Sequence, residues 1–309
     1  KITWGGFYMK GLHPQLKRIY EQNLQQPRTF EQLTANRAFT HFSQQPLDRT
    51  HCTIEEMMIG DIRTICLKPK QPYKNATCFI WFHGGGMVFG NPDDSITYLL
   101  DFVEQFQAVV LIPQYRLAPE YPYPAAVDDG YSILLWAYEQ AQELNINSNQ
   151  IILSGGSAGG NLALAVSLKA RDFGGPTIAA LLPLYPMLDW QVRPFHERFT
   201  SVAIWNHEKN QKSWSAYLKQ CDTVPAYASP FYAKLNNLPP IYTFIGTLDL
   251  FYEEVCEFVD KIKQAQNTVY FDCYEGCFHG FDLENVPIAQ QAKKQLLTMT
   301  KKILNESTS

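Results

Sequence analysis

A serine among glycines, with an acid and a histidine further along the chain, can carry acyl transfer through a covalent intermediate. Gly155-Gly156-Ser157-Ala158-Gly159 has the pattern GxSxG. The pattern alone is weak, because glycine and serine collect in ordinary loops. Its context makes it specific. The apolar run Ile151-Ile152-Leu153 enters it, and a helix expected from Asn161 to Arg171 leaves it. That places Ser157 on a sharp strand-to-helix turn. Small neighbours let the chain bend there and let a substrate approach. The helix N-terminus favours negative charge developing beside the serine. A phosphate loop would need a lysine after the glycines, and this segment has none.

Attack by a serine produces a tetrahedral oxyanion, which needs N–H donors already in place. Each is worth roughly 3 kcal/mol when judged by its removal. His83-Gly84-Gly85-Gly86 follows the apolar run ending at Phe82. A glycine run exposes backbone N–H groups without side-chain obstruction. The donors expected are the backbone N–H groups of Gly84, Gly85 and Ala158. His83 and Gly86 are expected to shape the loop, with His83 supporting it and not acting as the base.

The serine needs a base, and the base needs an orienting acid. Three histidines follow Ser157: His196, His207 and His279. The first two fall in a polar-aromatic stretch. His279 lies in Glu275-Gly276-Cys277-Phe278-His279-Gly280-Phe281, just beyond an apolar run ending near Phe271. The loop beyond a strand's carboxyl end is where open α/β sheets place reactive groups. Asp249, in Gly246-Thr247-Leu248-Asp249, follows another such run and lies between Ser157 and His279. Glu253 and Glu254 are rivals, but both fall inside the next helix. The triad expected is therefore Ser157, Asp249 and His279.

These residues need a scaffold that gathers strand ends along one edge. Apolar runs at Ile62–Leu67, Cys78–Phe82, Ala108–Pro113, Gln150–Leu153, Ile178–Leu184, Ile241–Ile245 and Thr268–Phe271 read as strands. Helical periodicity covers Asp128–Leu144, the stretch after Asp249, and Ala289–Leu304. Continuous apolar strands alternating with helices predict an α/β fold, a mostly parallel sheet covered on both faces. Residues 1–309 read as a single domain. About 1–50 are expected to be amphipathic and helical, with short helices near Leu16–Tyr20 and Phe30–Leu33 separated near Pro27. About 190–225, carrying Trp205, Trp214 and Tyr217, break the alternation. A loop that long without its own structure is uncommon in a compact domain, so the two stretches together are expected to form a cap.

Composition narrows the class further. With 46% hydrophobic and 18% charged residues, the chain can bury a large core and is not expected to be disordered. A net charge of -4 supplies no basic footprint for nucleic acid. No apolar run approaches the roughly 18 residues that a membrane helix needs. The first residues lack a signal-peptide pattern, although without an initiator methionine a few residues could have been trimmed. Seven cysteines at irregular spacing, with no CxxC pair, make a zinc site unexpected, and most of them read as reduced, buried cytosolic thiols. Cys277, two residues before His279, reads as a small packing residue.

Taken together, these motifs resemble the hormone-sensitive-lipase-like family of α/β-hydrolases, especially its bacterial carboxylesterases. His83–Gly86 looks like the family's HGGG. Tyr115-Arg116-Leu117-Ala118-Pro119-Glu120 with Pro124-Ala125-Ala126-Val127-Asp128-Asp129 is similar to its YRLAPE and PAAxxD segment. Ser157 sits in a GxSAGGN elbow. Ala228-Ser229-Pro230 and Leu238-Pro239-Pro240 resemble the family's lead-in to the acid strand, and Gly276 with His279-Gly280-Phe281 resembles its G-x-x-H-G-F ending. The resemblance runs from about Phe79 to Phe281. It implies the α/β-hydrolase fold with an eight-stranded sheet and a helical cap. It also implies hydrolysis of carboxylic esters with neither metal nor organic cofactor. Gly156 stands where the family often has an acid, and Leu250-Phe251 follow Asp249 where Pro-Leu is common. Both departures leave the triad intact. A cap rich in aromatics suggests short- to medium-chain esters as the small-molecule substrate, and no amphipathic lid suggests action at an oil interface. A homodimer is compatible with the sequence. An amidase or deacetylase would use the same triad, and a ligand-binding protein on this fold would be expected to have lost a triad member.

Overall fold

The computed structural model describes residues 11–25, 29–36, 50–199 and 204–306. Eight strands form one sheet: β1 (Cys52–Ile59), β2 (Ile62–Pro69), β3 (Ala76–Phe82), β4 (Val109–Pro113), β5 (Ile146–Gly156), β6 (Ala180–Leu184), β7 (Ile241–Leu248) and β8 (Val269–Phe278). Their spatial order is β1-β2-β4-β3-β5-β6-β7-β8. β1 and β2 pair antiparallel, and so do β2 and β4, while every pair from β4 through β3 to β8 is parallel. This is the α/β-hydrolase fold that the sequence predicts.

The interior strands read as unbroken apolar runs because helices cover both their faces. Every residue of β3 and of β6 is buried. The helices are α1 (Lys17–Gln25), α2 (Phe30–Asn36), α3 (Ile96–Phe106), α4 (Ala125–Glu139), α5 (Ala158–Asp172), α6 (His207–Tyr217), α7 (Tyr252–Gln264) and α8 (Pro287–Glu306). α5 follows β5 directly and is buried along most of its length, from Ala158 to Leu168 and again at Ala170. Its small residues let it lie close on the sheet.

Several elements differ from the sequence reading, among them α3, which has no counterpart there, and β5, which starts at Ile146 and not at Gln150. β1 also has no counterpart in the sequence reading. It is an edge strand with Glu55 and Glu56 exposed, so it lacks the apolar signature of the interior strands. α4 starts at Ala125 and ends at Glu139, earlier than Asp128–Leu144. β8 continues to Phe278, so His279 follows the strand immediately.

In the stretch from about 190 to 225, a 3-10 turn at Pro194–Phe199 precedes α6. Residues 200–203 lie outside the described residues, as do 1–10, 26–28 and 37–49 of the N-terminal stretch. α2 meets α6 through a Glu31–Lys212 ion pair at 2.8 Å and through the Phe30 ring, 5.6 Å below the Lys212 ammonium. Leu16 is fully buried, and Tyr20 packs on Phe278 at 5.9 Å. Among the described residues, no helix is long and apolar enough to cross a membrane.

Candidate active site

In a parallel sheet all carboxyl ends lie along one edge. β3, β5, β7 and β8 end there at Phe82, Gly156, Leu248 and Phe278, one residue before His83, Ser157, Asp249 and His279 respectively. Residues far apart in the chain thus converge.

Ser157 occupies the turn between β5 and α5 with φ 58° and ψ −119°. A non-glycine residue in that region is strained and must be held by its surroundings. Its N–H donates to the Leu184 carbonyl at 2.9 Å, and its carbonyl accepts from the Asn161 and Met187 N–H groups, each at 3.1 Å. The fully buried Asn161 side chain donates to the carbonyls of Met187 (2.8 Å) and Ala228 (3.1 Å), tying the helix start to the loop after β6.

His279 Nε2 lies 2.9 Å from Ser157 Oγ, and its Nδ1 lies 2.8 Å from Asp249 Oδ2. Asp249 is 1% exposed, and its other oxygen accepts the Phe251 N–H at 2.9 Å. A carboxylate so placed selects the tautomer with the proton on Nδ1. Nε2 is then free to accept the serine proton. Phe251 and Tyr185 hold the imidazole edge-on from two sides, with ring centroids 5.1 and 5.2 Å away. Trp205 approaches the same ring at 6.3 Å.

The glycine loop faces this group. A Cβ on Gly84 would stand 3.5 Å from Ser157 Cβ. The N–H groups of Gly84, Gly85 and Ala158 donate to no acceptor among the described residues, so all three remain available to an oxyanion. Beneath the loop, His83 stacks on Tyr115 at 4.2 Å, and its Nδ1 lies 2.8 Å from the Gly84 carbonyl. The Tyr115 hydroxyl donates to the His83 carbonyl at 2.7 Å. Burial pushes the His83 imidazole down to about 4, so at neutral pH it is an uncharged strut. Gly86 packs against the stretch before α6: a Cβ there would lie 2.5 Å from Trp205 Cη2.

The rival candidates lie elsewhere. His196 is buried with its Nε2 3.7 Å from Glu254 Oε2, and Glu254 accepts the Leu188 N–H at 2.8 Å. His207 begins α6 and takes no part in the relay. The Cys277 thiol is buried, pushed up to about 12 by that burial, and turned toward the Glu275 carbonyl.

Sequence reasoning missed Tyr185, Trp205 and Asp282 as neighbours of the site. Asp282 lies only three residues beyond His279, but nothing in the sequence says that its side chain turns inward. Tyr185 carried no signal, because only the adjacency of β5 and β6 brings it under the elbow.

The residues 79–283 match a family profile described as alpha/beta hydrolase fold. Over 221 residues the chain is 32% identical to an AB hydrolase superfamily protein of Schizosaccharomyces pombe, covering 65% of this chain and 62% of that one. It is 33% identical over 208 residues to the carboxylesterase NlhH of Mycobacterium tuberculosis, covering 63% and 64%. Each match therefore spans less than two thirds of the relative's length. Among solved structures, a bacterial heroin esterase superposes with a TM-score of 0.86 at 26% identity, over 95% of this chain and 98% of that one.

Proposed function

The chain belongs to the alpha/beta hydrolase family, and we propose that within it this protein is a serine carboxylesterase acting on short- to medium-chain esters. The observation that carries the reading is the unbroken relay from Asp249 through His279 to Ser157, with contacts of 2.8 and 2.9 Å. In this reaction Ser157 Oγ attacks the ester carbonyl while His279 Nε2 takes its proton. Asp249 orients the imidazole and stabilises its charged form. The N–H groups of Gly84, Gly85 and Ala158 receive the oxyanion. His279 then protonates the departing alcohol, leaving an acyl-serine. Water, deprotonated by the same histidine, attacks the acyl carbon, and the proton returns to Ser157 as the acid leaves. The carboxylesterase and esterase names of the related proteins support the same reading. The unpaired cysteines suit a reducing compartment such as the cytoplasm.

The test is hydrolysis of p-nitrophenyl esters by the parent and by Ser157→Ala. The variant is expected to lose about a thousandfold or more in kcat while keeping its fold. Ester turnover that survives the substitution would sink the assignment. Matched p-nitroanilides in the same series separate an esterase from an amidase.

A further inference from the structure

Trp205 lies between the base and the glycine loop. Its ring stands 6.3 Å from His279, and its Cη2 is 2.5 Å from where a Cβ on Gly86 would be. Phe89, whose N–H closes the glycine loop by donating to the Gly85 carbonyl at 3.1 Å, packs on the indole at 6.0 Å. A ring so placed competes for room with any part of a substrate that extends past Gly84 and Gly85.

Two residues in the first turn of α6 reach back to it. The Asn210 side-chain oxygen accepts the indole Nε1–H at a long 3.4 Å. The Lys209 ammonium donates to the Ile204 carbonyl at 3.0 Å, on the peptide that leads into Trp205. Asn206, next along, caps α6 by accepting the Lys209 N–H at 2.9 Å. Lys209 is only 5% exposed and Asn210 only 3%. Lysine is rarely buried so deeply, and a cation in the first turn opposes the helix dipole. What this lysine holds accounts for a position that costs it twice.

The helix is itself seated on the site. Ser213, three residues beyond Asn210 and so on the same face, is fully buried against Gly86: a Cβ there would lie 3.0 Å from Ser213 Cβ. Further along, the Tyr217 carbonyl accepts the Tyr123 N–H at 2.8 Å, and the two rings pack edge to face at 5.9 Å. α6 is thus a bracket fixed to the glycine loop, and its first turn carries the indole.

We propose that Lys209 and Asn210 are positioning residues for Trp205: together they hold the indole against Gly86 and so set the length of acyl chain that the site accepts. Lys209 fixes the backbone that enters Trp205, and Asn210 fixes the rotation of its ring. Without either, the indole can turn aside and yield its space to a longer chain.

The inference rests on the esterase reading above, and its test separates the two claims. The measurement is kcat/KM for p-nitrophenyl hexanoate and acetate, taken as a ratio. Asn210→Leu and Lys209→Met should each raise the ratio of hexanoate to acetate by about threefold or more. Asn210→Asp keeps an acceptor for the indole N–H and should keep the parent's ratio. In a Trp205→Ala background, Asn210→Leu should change the ratio by less than about 1.5-fold, because the ring it acts through is gone. A role in holding α6 together would lower activity on both esters alike. An unmoved ratio in Asn210→Leu and Lys209→Met overturns the inference, and so does an equal rise with and without Trp205. If Lys209→Met does not fold, Asn210→Leu decides alone. Turnover of both esters that survives Ser157→Ala overturns the esterase reading itself, and this inference with it.

Discussion

At the scale of single residues, two buried groups pull stability in opposite directions as pH changes. The Asp282 carboxyl is raised from an ordinary 3.8 to about 6, with burial as the main cause. Between those values the folded protein keeps a proton that the unfolded chain has released. Stability therefore falls as pH rises through this window, by on the order of 3 kcal/mol in full. His83 is lowered from 6.5 to about 4, again chiefly by burial. The unfolded chain takes up that proton first, so its contribution is complete above pH 6.5 and is lost as pH falls toward 4. Asp282→Asn should accordingly resist urea better than the parent at pH 7.5, with an advantage that shrinks as the buffer approaches pH 4. Parallel urea curves at all pH values would show that the carboxyl is not ionised at a cost. That Ser157, Asp249 and His279 meet was legible in the sequence because each follows an apolar run and their order is restrictive. Asp282 was not, since nothing in Phe281-Asp282-Leu283 says that the carboxylate turns inward.

The elements around the site explain which chemistry is shared and which is particular. The β3, β5, β7 and β8 ends are fixed by an apolar sheet whose pattern is plain in the sequence. The stretch from about 190 to 225 is less plain. Its contacts depend on α6 and the turn before it, whose residues mix charge and aromatic rings without a clean period. Trp205 shows the consequence. It is 4% exposed, lies 6.0 Å from Phe89 and 6.3 Å from His279, and sits against Gly86. Under the proposed esterase function, a ring there would limit how far an acyl or alcohol group can extend past the glycine loop. Trp205→Ala should raise the kcat/KM ratio of p-nitrophenyl hexanoate to acetate by about tenfold or more, the scale set by a few methylene contacts. An unchanged ratio, with activity merely reduced, would mean the indole only packs the cap. β1 was missed for a different reason. Its consecutive Glu55 and Glu56 are both exposed, and such charge hides an edge strand among surface segments.

For the molecule as a whole, the sequence displayed the fold through repetition and the site through order, whereas long-range joints between distant parts of the chain left no trace in it. The irregularity in β8 around Gly276 is such a joint. The Gly276 N–H donates to Thr247 Oγ1 at 2.8 Å, in the segment that carries Asp249. Its carbonyl accepts the His13 N–H at 2.8 Å, from the N-terminal arm. Its φ is +69°, and a Cβ would be driven into the Gly11 carbonyl. Three segments of the chain are thus spliced at one residue, three positions before His279. A splice of this kind works like a rivet: shearing it frees the catalytic edge while the sheet behind stays assembled. Gly276→Ala should therefore inactivate on warming several degrees below the temperature at which its far-ultraviolet circular dichroism is lost, a gap the parent should not show. Coincident loss of activity and dichroism in the variant would place the rivet within the global unfolding unit. For anyone building on this scaffold, the N-terminal arm is then tied to the segment that carries His279, and a fusion partner placed there pulls directly on that segment.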